Sequence, residues 1–257
     1  MTEGPEHALP VYQDSVDFYE RRGRPASWSR GEMTWVLFDL GRWDELLEVA
    51  ALVEAEAADG VGGQPLLMAL ASKGRVLFHR GRLDEAEAIS ADLLAPARSA
   101  GDPQIVVPTL SLAVVVERDP ARALELAQEL LEVEAPENPL HPEVARACIR
   151  HGALDLAERM IRTDDRVPPR TRHVVATIRA ILAEARGEAA PLYADAAERW
   201  ERHTFVLERA QCLLGLARTA ADAESAREAK RLFSALGAKA LEHEADAALA
   251  AALPLSS

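Results

Sequence analysis

The sequence predicts an all-α chain, an α-solenoid (superhelix) of about six helix hairpins with a capping helix at each end. Three observations carry this. First, Val36-Leu37-Phe38-Asp39-Leu40-Gly41-Arg42-Trp43-Asp44-Glu45-Leu46 returns as Val76-Leu77-Phe78-His79-Arg80-Gly81-Arg82-Leu83-Asp84-Glu85-Ala86. An apolar helix end, a glycine turn and an acidic helix start make one hairpin, and repetition at such a period marks a helical array. Second, a small residue recurs along the chain at Thr34, Gly74, Ser111, Ala145, Ala180 and Gly215, with spacings of 40, 37, 34, 35 and 35. Small side chains let two helix backbones approach closely. Third, the chain is 49% hydrophobic but only 5% aromatic. Its apolar content is mostly Ala and Leu, which favours helices over strands.

The elements follow in order within one domain spanning 1–257. A capping helix is expected over 10–22, ending at Gly23. Units are expected at about 27–60, 66–100, 104–136, 139–165, 170–203 and 205–237, and a last cap over 239–252. Three residues after each small position the side chain is mostly apolar: Leu37, Leu77, Val114, Cys148 and Ala183, with Arg218 the exception. The turns come at Gly41, Gly81, Gly152 and Gly187, where glycine suits the left-handed residue just past a helix end. The third unit turns through Arg118-Asp119-Pro120 instead, with proline tolerated in a first helical turn. Second helices open on acids, Asp44-Glu45, Asp84-Glu85, Asp155 and Glu188, which complement the helix dipole. Prolines and glycines separate the units, at 60–65, 101–103, 136–142 and 164–169. Val114-Val115-Val116 looks like a strand in isolation but falls inside the third unit, so it is read as helical core. Trp28, Trp43 and Trp200 are read as packing residues, with Leu83 equivalent to Trp43, and Leu232 and Phe233 as the inner face of the last hairpin.

Composition narrows the function classes. The net charge of -13 opposes generic nucleic-acid binding, which needs clustered cations. The charge is uneven: residues 142–186 hold nine Arg against six acids, a local net of +3. No apolar run reaches the eighteen or so residues of a membrane span. The first residues have neither a basic start nor an apolar signal core. Cys148 and Cys212 are isolated, suiting buried thiols in a reducing cytoplasm. There is no phosphate loop, GxGxxG, CxxC or GxSxG, and His243-Glu244 lacks the second histidine of a zinc helix. The expectation is a cytoplasmic, non-catalytic chain without cofactor or metal, in which the repeated acids serve helix starts.

Gly81-Arg82-Leu83-Asp84-Glu85-Ala86 resembles the turn and second helix of a tetratricopeptide repeat, whose period the later spacings approach. The stretches Tyr193 to Arg202, Glu208 to Arg218 and Ala226 to Ala238 look like the end of a particular kind of array. They are similar to the helical-repeat regions of LuxR-type, ATP-binding (MalT-like) transcription regulators and of adenylate cyclases with an appended ATPase. The likeness is loose over the whole chain and closer over 187–238. Nothing here resembles the family's ATPase, cyclase or helix-turn-helix modules. The family usually has Gly after the Trp-Glu-Arg segment, where this chain has His203-Thr204-Phe205. The resemblance implies six tetratricopeptide-like units, either a repeat domain of a larger bacterial regulator or a free-standing relative. It also implies a sensor or scaffold role, with an inducer or a partner protein bound by the array.

In such arrays the first helices line a concave groove. Residues one and five after each small position should face it. The candidate partner-binding residues are Trp35, Asp39, Arg75, His79, Arg146 and Arg150, with an apolar stretch at Leu112 and Val116. Arginine grips a carboxylate with two hydrogen bonds, and tryptophan anchors a contact. The competing reading has Trp35 packed and the charges solvated in a vacant groove. The expected occupant is a protein or peptide partner, or alternatively a small-molecule inducer of a regulatory domain; an enzyme with an unrecognised site is the third class.

Overall fold

The structure is a computed structural model that describes residues 4–60, 62–133, 141–161, 169–187 and 189–253. Among these residues the chain is all-helical, with 14 helices and no strand. The helices group into two compact units, α1 to α7 and α8 to α14, with His79–Gly81 assigned to the second.

The first unit comprises α1 (Pro5–Glu20), α2 (Ser27–Asp39), α3 (Trp43–Ala58), α4 (Gln64–His79), α5 (Leu83–Ala100), α6 (Pro103–Val116) and α7 (Pro120–Glu132). Helices adjacent in sequence pack together: α1 on α2, α2 on α3, α5 on α6 and α6 on α7. Ala50 and Val53 of α3 meet Ala69 of α4, and Met68 of α4 meets Ala97 of α5 and Ile105 of α6. The second unit comprises α8 (His141–Arg150), the short α9 (Leu154–Glu158), α10 (Pro169–Glu184), α11 (Ala190–Arg202), α12 (Val206–Ala220), α13 (Ala223–Leu236) and α14 (Lys239–Ala252). There α10 packs on α8, α9 and α11, and α12 on α11, α13 and α14.

Every small residue of the expected series is buried. Thr34 donates its hydroxyl to Ser72 at 3.1 Å, joining α2 to α4. A Cβ at Gly74 would come within 2.5 Å of Leu112 in α6, and one at Gly215 within 2.4 Å of the Tyr193 ring in α11. Glycine at these two positions therefore sets how close the helices come. Val114, Val115 and Val116 lie buried inside α6, so the apolar run is helical core.

The turns share one hydrogen-bond pattern. Arg42, Arg82 and Ala153 donate their N–H to the carbonyls of Leu37, Leu77 and Cys148, each at 2.9 Å. The residue before each donor, Gly41, Gly81 or Gly152, has positive φ. This is the Schellman closure, in which a left-handed residue lets the chain reverse and satisfy a helix-end carbonyl. The same bond links Phe205 to Trp200 and Asp222 to Ala217, but there the left-handed residues are Thr204, at φ 57, and Ala221, at φ 52. The third unit's turn is capped differently: the Asp119 carboxylate accepts from the N–H groups of Ala121 and Arg122.

Three expectations need correction. The first helix opens at Pro5, not near Pro10, because Pro5 already supplies a proline start and Pro10, exposed in the second turn, loses only one helical hydrogen bond. Trp28 is 50% exposed rather than packed, since it lies in the first turn of α2 on the face away from the core side chains Ser27, Ser29 and Arg30. Leu83 is 46% exposed, unlike its sequence equivalent Trp43, at 1%. Trp43 reaches the core because its larger ring stacks on Phe38, with centroids 5.4 Å apart, and donates to the Phe38 carbonyl. Trp200, Leu232, Phe233, Cys148 and Cys212 are buried as expected. Most of the 136–142 and 164–169 breakers, and Glu188, lie outside the described residues.

Candidate functional site

The six candidate groove residues fall into different environments. In the first unit, Trp35 of α2 is half-buried and packs against Met68, Ala97 and Ile105. Asp39, one turn on, is also half-buried. Arg75 of α4 is buried, its guanidinium 3.6 Å above the Phe38 ring centroid. A cation held over an aromatic face is attracted by the ring quadrupole. Phe38 itself stacks on Trp43, so Arg75, Phe38 and Trp43 form one column across α4, α2 and the start of α3. The structure thus brings Arg75 to the α2 segment that carries Trp35 and Asp39. Leu112 and Val116 are buried in α6, Leu112 against Gly74, so the expected apolar stretch is core there.

In the second unit, His79 is buried with its Nε2 2.6 Å from the Glu143 carboxylate of α8. Arg146 of α8 is half-buried and donates through both terminal nitrogens to Glu208 of α12, at 3.3 and 2.8 Å. Burial works against the Arg146 charge, but the Glu208 carboxylate outweighs it and holds the guanidinium above its ordinary pKa. Arg150, at the end of α8, is exposed. Arg75, His79 and Arg146 are therefore committed to intramolecular partners.

Sequence reasoning missed those partners. Glu208 lies seven residues, two helical turns, before the crossing residue Gly215, and so on the face that meets other helices. That register was the available signal. Also missed was a buried polar cluster where α10 meets α11. The Trp200 indole donates to the Thr177 hydroxyl at 2.7 Å, and His173 Nε2 lies 3.1 Å from His203 Nδ1. Burial, then the charges of His203, Arg199 and Arg202, push the His173 pKa down to about 4. Tyr193 donates to Glu184, and burial together with that carboxylate raises the phenol far above its usual range. Both thiols are buried, which pushes Cys148 up to about 11 and Cys212 up to about 12. A thiolate is the reactive form, so neither cysteine is poised for nucleophilic work. Among the described residues there is no cluster of three or more potential metal ligands, and no helix is long and apolar enough to cross a membrane.

A scan against protein-family models finds no match, and no curated protein or solved structure matches the chain.

Proposed function

We propose that the chain is a tetratricopeptide-like α-solenoid of about six hairpins with a capping helix at each end. It serves as a non-catalytic interaction and sensor module of a bacterial signalling or transcription-regulatory protein, with a protein or peptide partner. The observation that carries this reading is the recurrence, in both units, of one construction. A helix crosses its neighbours at a buried small residue, then reverses through a left-handed turn into a second helix. Such stacking leaves side chains along one face of the first helices for a partner. In the first unit this is the half-buried Trp35; in the second, the exposed Arg150. Arg75, His79 and Arg146 contribute by holding the helices in place.

The experiment is partner capture from a bacterial lysate by wild-type protein, Arg150→Glu and Arg146→Glu, with melting temperatures measured alongside. Arg150→Glu should leave the melting temperature unchanged while recovery of a specific protein falls several-fold. Arg146→Glu should lower the melting temperature, because it places two carboxylates together in a buried site. Equal recovery by wild type and Arg150→Glu would remove Arg150 from the partner surface.

A further inference from the structure

An open groove of about 540 Å3 lies in the second unit, lined by α10, by Leu192 of α11, and by Glu158 and Ile161 at and beyond the end of α9. Its apolar lining is Ile161, Leu182, Ala183 and Leu192, and its charged lining is Glu158, Arg179 and Arg186. Arg179 stands on α10, and Arg186 lies two residues beyond the helix end at Glu184. Leu182 and Ala183, three and four residues after Arg179, fall on the same face of α10 as Arg179. Leu192 is 38% exposed, which leaves a large apolar side chain in water at the groove's edge.

The two arginines are not equivalent. Arg186 is ion-paired with Glu158 within the groove. Arg179 is exposed and, among the described residues, has no carboxylate partner. Among the described residues the lining therefore carries two guanidiniums against one carboxylate, a surplus of a single positive charge. That surplus stands out in a chain of net charge -13.

From this we infer that the groove binds a small amphipathic monoanion, a carboxylate joined to an apolar body. The carboxylate pairs with the Arg179 guanidinium, which offers two parallel N–H donors to such a group. The apolar body lies over Leu182, Ala183 and Ile161 and covers Leu192. A second negative charge is disfavoured, because Glu158 already neutralises Arg186 and repels a further anion. A cation is excluded by Arg179. The volume falls within the roughly 300–1,000 Å3 of small-molecule sites. This site is independent of the partner surface proposed above, so either can fail without the other.

The test is calorimetric titration of the intact chain with decanoate and with decanol, below their aggregation concentrations. Decanoate should bind wild type with a Kd of about 1 mM or tighter, a free energy of about 4 kcal/mol. It should also raise the melting temperature, as any ligand of the native state does. Arg179→Glu should weaken decanoate at least tenfold, and Arg179→Lys should weaken it by less, because lysine keeps the charge but not the paired donors. Leu192→Asp, at an exposed position, should also abolish binding without unfolding the chain. Arg150→Glu should bind decanoate like wild type, which separates this site from the partner surface. Three results would overturn the assignment: equal decanoate affinity in Arg179→Glu, equal affinity for decanol and decanoate in wild type, or no saturable decanoate binding.

Discussion

At the scale of single residues, the turns show where this chain keeps strain. Gly41, Gly81 and Gly152 occupy left-handed positions at little steric cost. Thr204 and Ala221 hold the same positions with a Cβ, and Thr204 is also β-branched. Left-handed backbone costs a residue with a side chain roughly 1 kcal/mol or more. Thr204→Gly and Ala221→Gly should therefore each stabilise the protein, by up to about 1 kcal/mol after the added flexibility of the unfolded chain is counted. Gly81→Ala should destabilise by about 1 kcal/mol, purely through the backbone, since nothing lies within 4 Å of its Cβ position. Denaturant midpoints for the three variants check this, and a loss of stability in Thr204→Gly would contradict it. The turn glycines were legible because glycine announces a left-handed residue. Thr204 and Ala221 were not, because neither residue type announces a left-handed backbone; the turns are closed by the N–H groups of Phe205 and Asp222 on the Trp200 and Ala217 carbonyls.

Helices are held at different tightness by their crossings. The Cβ missing at Gly215 would strike the Tyr193 ring, which is buried and tethered to Glu184. At Gly74 the clash is with the end of the Leu112 side chain, which can rotate away. Gly215→Ala should thus cost more than Gly74→Ala, about 1–3 kcal/mol for an overpacked site. Thermal melts of the two variants decide the order, and an equal or reversed order would show that Tyr193 gives way. Trp43 ties α3 to α2 by its stack on Phe38 and its bond to the Phe38 carbonyl. Trp43→Ala should cost about 3–5 kcal/mol, whereas Leu83→Ala, at a half-exposed position, should cost well under half of that. The sequence pattern made these two residues equivalents. It could not show that a leucine is too short to reach the site that an indole fills. Arg75, His79 and Arg146 pose the same difficulty: periodicity placed them on a helix face, but their partners Phe38, Glu143 and Glu208 are set by how helices meet.

For the molecule as a whole, stability should follow the protonation of His173. Its pKa is pushed down to about 4 in the folded state, mainly by burial, against about 6.5 when unfolded. The unfolded chain therefore takes up the proton first as pH falls. Stability is fully present above about pH 6.5 and is lost progressively toward pH 4, by up to about 3 kcal/mol. His173→Phe should flatten that part of the pH–stability profile, and an unchanged slope would assign acid sensitivity to other groups. The all-helical architecture was legible from composition and period alone, and the buried small-residue series from its spacing. The α10–α11 polar cluster was not, because Thr177, Trp200 and His203 have no counterparts of the same type at equivalent positions of the other units. The stacking register itself is most directly tested where the Thr34 and Ser72 hydroxyls of α2 and α4 lie 3.1 Å apart. With Thr34→Cys and Ser72→Cys combined, mild oxidation of the native protein should close a disulfide quickly, because facing side chains this near satisfy its geometry. Mass spectrometry of the digest should recover the two peptides joined. If the pair stays reduced while the protein remains folded, α2 and α4 do not cross where their small residues place them.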